Sequence, residues 1–293
     1  MISIVVPTFD RPEALPRCLD GIAAMAGAGP DLEVVVVNDG GEPPSRAVIE
    51  RLRGRLDVRV IDQRRAGPAA ARNAGAERAR GTVVAFLDDD CVPQQGWLAA
   101  LAVRCAAEPD AAIGGRTINA LPENPYSTAS QLVVDHLYAH HNADGRAATF
   151  LASNNVAFPR RELLEIGSFD ARFPRPAGED RDLCDRWHRL GRRMVFAPEA
   201  VVRHAHVLGM GTFWRQHFDY GRGAFSFRRA RAQREGTRIA LERPRFYADL
   251  LRAPFATHGG ARGAGLALLL VVSQVASTAG YARERTQLAL RGE

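Results

Sequence analysis

The first ninety residues alternate between short apolar runs and amphipathic segments. The apolar runs are ISIVVP (2–7), LEVVVVND (32–39), VRVIDQ (58–63) and GTVVAFLDDD (81–90). Runs of this length, rich in β-branched residues, predict strands. The segments between them, predicted as helices, are 11–26, 45–52 and 67–80. Strands that alternate with helices and are apolar on both faces predict an α/β fold, a mostly parallel Rossmann-like sheet sandwiched by helices.

The later part of the chain continues this pattern and then changes character. We predict strands at 113–118 and 194–206, a strand, turn and helix start over 150–163, and a helix at 182–190. Residues 122–149 read as a loop around a helix near 131–140. Composition shifts near residue 207 towards arginine and aromatic residues, which predicts a catalytic domain over 1–206 and a C-terminal helical extension over 207–293.

Residues 264–281 form an uncharged segment of membrane-like composition with a polar stripe. Its length is near the lower limit for a membrane-spanning helix. Ser273, Gln274, Ser277 and Thr278 recur on one helical face. Three arrangements remain open on sequence grounds: a helix at a membrane surface, a helix packed on the protein, or a span.

Composition and charge narrow the classes of function. The chain has 293 residues, 46% hydrophobic and 25% charged, which is typical of a soluble globular protein. All 39 basic residues are arginine, so Schiff-base and P-loop chemistry that require lysine are excluded. The net charge of +6 suits nucleic acid, anionic lipid or phosphorylated substrates, and composition does not choose among them. No nucleic-acid-reading motif is recognisable, and we expect no nucleic-acid partner.

Cysteine usage and the N-terminus bear on location. The four cysteines form no CxxC pair, so we expect neither a zinc site nor a redox motif, but buried thiols in a reducing compartment. The N-terminal MISIVVP has no basic residue before its apolar run and predicts a strand instead of a secretory signal. We expect a cytoplasmic location, peripheral at the inner face of the cell membrane.

Polar and acidic residues follow the ends of three predicted strands. They are Thr8 and Asp10 after the first, Asp39 at the end of the second, and Asp88 to Asp90 after the fourth. In a parallel sheet these ends meet at one edge, where ligands bind. In an extended chain Asp88 and Asp90 would face one side and Asp89 the other. The pair would suit Mg²⁺ or Mn²⁺ beside a diphosphate, although an exposed acidic turn explains the run equally well.

Three further motifs carry candidate chemistry. GPAAARNAG, starting at Gly67, begins a helix whose free N–H groups suit an anion, with Arg72 and Asn73 one turn in. In GEDRDLCDRW, Glu179 and Asp180 lie where a helix begins, as a general base or as capping residues. His204 in RHAH could supply a metal ligand or could be an ordinary packed histidine.

These motifs, taken in order, resemble family 2 glycosyltransferases, which have a GT-A fold. They are IVVPTFDRPEALPRCL, VVVVNDGG, GPAAARNAGAERARG, FLDDDC and GEDRDLCDRWHRLGRRMVFAPEAVVRH, and they cover about residues 1–206. NDGG stands where NDGS or DDGS is usual in the family. The resemblance implies a metal-dependent, inverting, hexosyltransferase-type enzyme. It would move a sugar from a UDP-, GDP- or dTDP-sugar to a glycan, lipid or small-molecule hydroxyl, as in cell-envelope polysaccharide synthesis.

The resemblance also implies a role for each motif residue. The nucleotide would be bound by Pro7, Thr8, Asp10, Asp39, Gly67, Arg72, Asn73 and Asp88. Asp88 and Asp90 match the DxD motif for Mn²⁺ or Mg²⁺, with His204 nearby. Asp180 would be the general base and Glu179 its support, while Asn154 and Asn155 would face the donor sugar or the acceptor.

Two other functions fit parts of the sequence. A sugar nucleotidyltransferase should carry a Gly-rich N-terminal loop and a phosphate-binding lysine, and neither is present in this sequence. A non-catalytic sugar-nucleotide or membrane-binding module would not need Asp88, Asp90 and Asp180 together. The sequence therefore favours the transferase.

Overall fold

The computed structural model describes residues 1–27, 30–43, 46–173, 177–237 and 242–290. Within these residues the chain forms eight strands and ten helices. The strands are β1 (Ile2–Thr8), β2 (Leu32–Asp39), β3 (Val58–Gln63), β4 (Val83–Leu87), β5 (Cys91–Pro93), β6 (Ala112–Asn119), β7 (Asn155–Pro159) and β8 (Met194–His204). The helices are α1 (Ala14–Ala23), α2 (Arg46–Leu52), α3 (Pro68–Arg78), α4 (Trp97–Ala107), α5 (Pro125–His141), α6 (Arg160–Glu165), α7 (Glu179–Arg189), α8 (Met210–Glu235), α9 (Pro244–Thr257) and α10 (Gly260–Leu290).

All eight strands form one sheet, in the order β3-β2-β1-β4-β7-β6-β8-β5. The first four strands are parallel, as the alternating pattern predicts. β7 runs antiparallel to both β4 and β6, and β6 and β8 are again parallel. The predicted mostly parallel α/β sheet is confirmed. Residue 45, where the second helix was predicted to begin, lies outside the described residues.

Each face of the sheet carries its own apolar core. Ile4 and Val6 of β1 pack in one cluster with residues of α1 and α4, such as Leu19 and Trp97. Val5 points to the other face, where a second cluster includes residues of β4, β7 and α7. Successive strand residues face opposite sides of a sheet, so a strand apolar at every position is the expected signature of a sheet covered by helices on both faces.

A third apolar cluster joins α5 to the C-terminal helices. It contains Leu132 of α5, Phe213 of α8, Leu250 of α9 and Leu270 of α10. The C-terminal helical extension is therefore present and packs on α5. The division of the chain at residue 206 stays a prediction.

Helix α5 begins earlier than the sequence predicts. The side chain of Asn124 accepts hydrogen bonds from the N–H groups of Tyr126 and Ser127, both at 3.0 Å, and Pro125 occupies the first turn. Asn at the cap followed by Pro is a recognised helix start. The loop prediction for residues 125–130 was wrong because the Asn124 cap and Pro125 start the helix before the polar residues, which therefore lie inside its first turns.

Helix α10 packs along one face and exposes the other. Gly263, Leu266, Leu270, Ser273, Ala276 and Gly280 form the buried face. Among the described residues, α10 is the one helix long and apolar enough to cross a membrane by length and composition, and 33% of its apolar window is buried inside the protein. The packed arrangement of residues 264–281 is thus realised in the structure along one face.

Candidate active site

A large cleft lies beyond the carboxyl ends of β1, β2 and β4. Its volume is about 1960 Å³. Pro7 and Thr8 from β1, Asp39 from β2 and Asp88 after β4 all line it, as the strand-end argument predicts. Residues of α5 and of the C-terminal helices α8, α9 and α10 also line the cleft, so the C-terminal helices contribute to its walls.

The three acids after β4 lie in a tight turn and not in an extended strand. β4 ends at Leu87, and the N–H of Cys91 donates to the carbonyl of Asp88 at 3.0 Å. The prediction that Asp88 and Asp90 face one side and Asp89 the other was wrong, because alternation holds only for extended chain. Asp89 and Asp90 instead share the Arg11 guanidinium, while Asp88 points to a different arginine.

Asp90 also pairs with His204, the last residue of β8. His204 Nε2 lies 3.2 Å from Asp90 Oδ1. Burial raises the pKa of Asp90, but the hydrogen bond and charge of His204, with Arg11, outweigh it and hold that pKa well below its usual range. Burial lowers the pKa of His204, but its pairing with Asp90 outweighs burial and raises that pKa. The two side chains form an ion pair when His204 is protonated.

The donor atoms at this place fit a divalent cation. Asp90 Oδ1 and His204 Nε2 lie 3.2 Å apart, and with His204 in its neutral form the carboxylate and the imidazole would be suitable ligands for Mg²⁺ or Mn²⁺. Asp88 lines the same cleft with a partly exposed carboxylate. Cys91 is also near Asp90 and His204, but Mg²⁺ and Mn²⁺ prefer oxygen ligands to the soft sulfur of a thiol.

Asp39 is held rigidly at the start of α3. Its carboxylate accepts hydrogen bonds from the backbone N–H groups of Ala66 and Gly67, both at 2.8 Å, and from Gln63 at 2.7 Å. Asp39 is only 6% exposed. The carboxylate therefore fixes the loop before α3, whose first residues line the cleft.

Arg72 connects the acidic turn with the Glu-Asp pair at the start of α7. Its guanidinium donates to Asp88 Oδ1 at 2.8 Å and to Glu179 Oε1 at 3.1 Å. Arg72 and Glu179 are each 3% exposed. Burial, and then the charge of Asp180, raises the pKa of Glu179 to about 7. Burial also raises the pKa of Asp180, which lines the cleft beside it.

The backbone around Glu179 and Asp180 is fixed by close contact with α8. Gly178 caps α7 with φ of 92°, a conformation that favours glycine, and a Cβ there would lie 2.7 Å from the carbonyl oxygen of Gly223. Three residues along α7, the buried Asp182 accepts from Arg186 and from Arg234 of α8, both at 2.8 Å. Helix α8 therefore determines where the two carboxylates lie.

The structure does not bring every predicted residue into the cleft. Asn155 is fully buried: its side chain accepts from Trp97 Nε1 at 2.8 Å and donates to the carbonyls of Arg116 and Ala200. It therefore joins strands and helix α4 in the interior and cannot face a sugar. Its neighbour Asn154 does line the cleft.

Asn73 and Asp10 are likewise engaged elsewhere. Asn73 makes two hydrogen bonds with the backbone of Phe169, at 2.8 and 2.9 Å, because its position on α3 faces the segment before α7. Asp10 is exposed, and its Oδ1 accepts from the N–H of Glu42 at 3.1 Å. Among the described residues, neither belongs to the cleft lining, so the structure places no contact with a nucleotide there.

Two groups that line the cleft were missed from sequence. Arg11 neutralises Asp89 and Asp90, and its position at the same strand end as Thr8 was a usable signal. The Arg65 guanidinium stacks 4.1 Å from the Phe9 ring centroid. That stack joins two loops that are far apart in sequence, and no local sequence pattern predicts it.

The comparison with known families identifies the class of protein. Residues 3–166, more than half of the chain, match the model described as Glycosyl transferase family 2. The chain belongs to that family. The predicted family resemblance is confirmed.

The individual relatives described next are each 28% identical to the chain. The chain is 28% identical over 230 residues to validoxylamine A glucosyltransferase of Streptomyces hygroscopicus subsp. limoneus, covering 68% of this chain and 50% of the relative. It is 28% identical over 215 residues to pre-mycofactocin glycosyltransferase of Mycobacterium tuberculosis, covering 70% of this chain and 43% of the relative. The chain thus spans about half the length of these curated relatives.

Solved structures confirm the GT-A fold. A mannosyltransferase of Pyrobaculum calidifontis, in complex with GDP-Man and Mn²⁺, has a TM-score of 0.60 at 21% identity, over 100% of this chain and 80% of that one. TarS 1–349 of S. aureus, in complex with UDP-GlcNAc, has a TM-score of 0.55 at 16% identity, over 100% of this chain and 92% of that one. At these identities the likeness establishes the architecture.

Proposed function

We propose that the chain is an inverting glycosyltransferase that moves a sugar from a nucleoside diphosphate to an acceptor hydroxyl. The observation that carries this proposal is the Arg72 bridge, which couples Asp88 of the acidic turn to Glu179 beside Asp180. A donor-binding carboxylate and a candidate base are thereby held in one cleft. Family membership supports the same reaction class.

The donor is proposed to be a UDP-, GDP- or dTDP-sugar. Pro7, Thr8, Asp39 and Gly67 line the part of the cleft nearest the parallel strands, where α/β sheets bind nucleotides. Two structural neighbours carry GDP-Man and UDP-GlcNAc respectively, which supports a nucleotide-sugar donor without choosing among them.

Asp90, His204 and Asp88 would hold Mn²⁺ or Mg²⁺. When bound, such an ion neutralises charge that develops on a diphosphate leaving group. Arg72, next to Asp88, contributes positive charge from the chain itself and is fully buried, so its effect on a nearby anion is little screened by solvent.

Asp180 would accept the proton of the acceptor hydroxyl. The hydroxyl oxygen forms a bond to the anomeric carbon as the bond from that carbon to the diphosphate oxygen breaks, and the electron pair leaves with the diphosphate. Since one displacement occurs, the anomeric configuration inverts. A carboxylate with a raised pKa is a better base than an ordinary one.

A nucleotide-sugar panel tests the reaction. Purified protein with Mn²⁺ or Mg²⁺ is assayed for release of nucleoside diphosphate from each donor, and nucleotide binding is followed by thermal shift. We expect release from at least one donor, and a loss of about a hundredfold or more in Asp180→Asn. Asp110→Asn, an exposed carboxylate, is the matched control. Full activity in Asp180→Asn would show that Asp180 is not the general base.

We further propose a peripheral location at the inner face of the cell membrane, with a lipid-linked acceptor as one option beside glycans and small molecules. Phe255 and Leu268 are 55% and 65% exposed, and the Arg245 and Arg252 side chains on α9 are 90% and 80% exposed. Exposed apolar residues beside arginines suit an anionic lipid surface.

Sedimentation with vesicles tests this location. We expect the protein to sediment with phosphatidylcholine vesicles that contain phosphatidylglycerol, and much less with phosphatidylcholine alone. Phe255→Ser with Leu268→Ser should reduce sedimentation, whereas Val103→Ser, which removes an exposed apolar residue on the distant α4, should not. Protein that stays in the supernatant with both vesicle types would exclude the membrane proposal.

A further inference from the structure

The cleft extends past Asp180 to a polar surface between α5 and α8. We name it the α8 shelf, and it consists of Ser130, Gln216, His217 and Tyr220. Gln216 and Tyr220 are four residues apart on α8, so they lie on the same helical face. None of the four belongs to the motifs that the family resemblance covers.

Hydrogen bonds connect the four side chains of the shelf. Burial lowers the pKa of His217 to about 4, so its ring is neutral near pH 7, and it lies 3.1 Å from Ser130 Oγ. Gln216 Nε2 donates to Ser130 Oγ at 3.3 Å and to the Tyr220 hydroxyl oxygen at 2.8 Å. Since Ser130 accepts from Gln216, its own proton is available to His217.

Two hydrogen-bonding groups on the shelf have no partner among the described residues. The Tyr220 oxygen already accepts from Gln216, and within the described residues no acceptor meets the Tyr220 proton. Gln216 Oε1 is buried without a hydrogen-bond partner among the described residues. Buried polar atoms are nearly always paired, so an unpaired acceptor in a cleft calls for a donor that the chain does not supply. The shelf thus offers one donor and one acceptor side by side.

Tyr220 lines the same cleft as Asp180 and Glu179. Its pKa is raised above the ordinary value of a tyrosine. A tyrosine with this pKa keeps its proton at neutral pH and remains a donor.

Helix α10 adds aliphatic side chains to the lining of the cleft. Val271 and Val275 line it and are 43% and 53% exposed, next to the polar Gln274, Ser277 and Thr278 of the same helix. Glycine allows α8 and α10 to pack in backbone contact. A Cβ on Gly221 would lie 1.8 Å from the Ser277 carbonyl oxygen, and one on Gly280 would lie 1.9 Å from that of Phe218. A molecule bound in this part of the cleft can meet both hydrogen-bonding groups and aliphatic carbon.

We propose that the α8 shelf binds a polyhydroxylated ring of the acceptor, with Tyr220 donating to one ring hydroxyl and Gln216 Oε1 accepting from its neighbour. A sugar or cyclitol has this chemistry: hydroxyls that both donate and accept at the ring edge, and C–H faces that pack on aliphatic side chains. The inference rests on the proposed transferase activity and names the acceptor class. Gln216 and Tyr220 are positioning residues for the hydroxyl that Asp180 deprotonates.

Ligand-observed NMR tests the shelf without relying on catalysis. The probes are methyl glucopyranoside, methyl mannopyranoside, methyl galactopyranoside and myo-inositol, added to full-length protein loaded with Mg²⁺ and either UDP or GDP. We expect saturation transfer to at least one probe, and about tenfold weaker affinity in Tyr220→Phe and in Gln216→Leu. Tyr126→Phe and Gln233→Leu are matched controls outside the shelf and should retain wild-type affinity.

Several outcomes would overturn the proposal. Absence of binding by every probe to the wild type would leave the shelf as a site for water only. Equal probe affinity in wild type, Tyr220→Phe and Gln216→Leu would show that the acceptor ring binds outside the shelf. Because probe binding is measured without a sugar donor, it is separate from donor turnover, whose absence would instead overturn the proposed function.

Transfer kinetics then distinguish the source of the ring. Once a donor is known, the methyl glycoside that binds is compared with the octyl glycoside of the same sugar, below its micellar concentration. In Tyr220→Phe the acceptor KM should rise about tenfold relative to the donor KM, a split that a general loss of folded protein would not produce. A lower KM for the octyl glycoside assigns the ring to a lipid-linked head group, and equal KM values assign it to a soluble acceptor.

Discussion

Arg72 donates a hydrogen bond to Glu179 at 3.1 Å, across 107 positions of the chain and between two side chains that are almost fully buried. The second Arg72 nitrogen donates to Asp88, so one guanidinium sets the spacing between the acidic turn and the start of α7. Arginine suits this role better than lysine would, because its planar fork reaches two carboxylates at once.

Removing the Arg72 bridge should uncouple the two halves of the site. In Arg72→Met, Glu179 and Asp88 lose their shared partner, and we expect kcat/KM for the donor to fall about a hundredfold or more. The control is Arg78→Met, which removes an exposed arginine from the same helix. Donor turnover within a factor of two of wild type in Arg72→Met would show that the bridge is structural only.

The raised pKa of Glu179 predicts a pH-dependent stability. The folded pKa of about 7 exceeds the ordinary 4.5, so between these pH values the folded protein holds a proton that the unfolded chain releases. The free energy of unfolding should therefore fall as pH rises through this window, by up to about 1.4 kcal/mol per pH unit. Glu179→Gln should flatten this decline.

Urea unfolding at pH 4.5, 6 and 8 measures the Glu179 effect. Glu179→Gln should gain stability relative to wild type between pH 4.5 and pH 8. Glu162→Gln, in the first turn of α6, controls for the loss of one carboxylate elsewhere. Parallel curves for wild type and Glu179→Gln would contradict the assignment of a raised pKa to this side chain.

The metal assignment predicts a loss of Mn²⁺ affinity when a ligand is removed. In titration calorimetry with UDP or GDP present, Asp90→Asn and His204→Ala should each weaken Mn²⁺ binding more than about tenfold. His188→Ala, on the exposed side of α7, should bind Mn²⁺ as wild type does. Unchanged affinity in Asp90→Asn would place the ion elsewhere or remove it from the scheme.

The two adjacent asparagines should respond differently to substitution. Asn155→Leu leaves the Trp97 N–H and two buried carbonyls without partners, and we expect a loss of about 3 kcal/mol in the free energy of unfolding. Asn154→Ala, at the cleft surface, should cost under about 1 kcal/mol and change steady-state kinetics instead. Urea unfolding and donor kinetics on both variants measure the contrast. Equal stability losses would contradict the interior role of Asn155.

Prediction from sequence succeeded where the signal is local. The four parallel strands β1 to β4 and the placement of Thr8, Asp39 and Asp88 near one edge follow from hydrophobic periodicity and from the rule for strand ends. It failed where a side chain's direction decides its role. The turn at Asp88–Cys91 reorients three carboxylates, and Asn154 and Asn155 diverge because one faces the cleft and the other the interior.

By itself, the sequence determined the fold class, the family and the region of the chain that contains the chemistry, because apolar periodicity and motif order are encoded over short distances. Only the tertiary structure decided which groups meet: Arg72 with Glu179, Asp90 with His204, and Ser130 with Gln216 across 86 residues. Hydrogen bonds and ion pairs of this kind depend on distances of about 3 Å between distant segments, which packing fixes and no local pattern records.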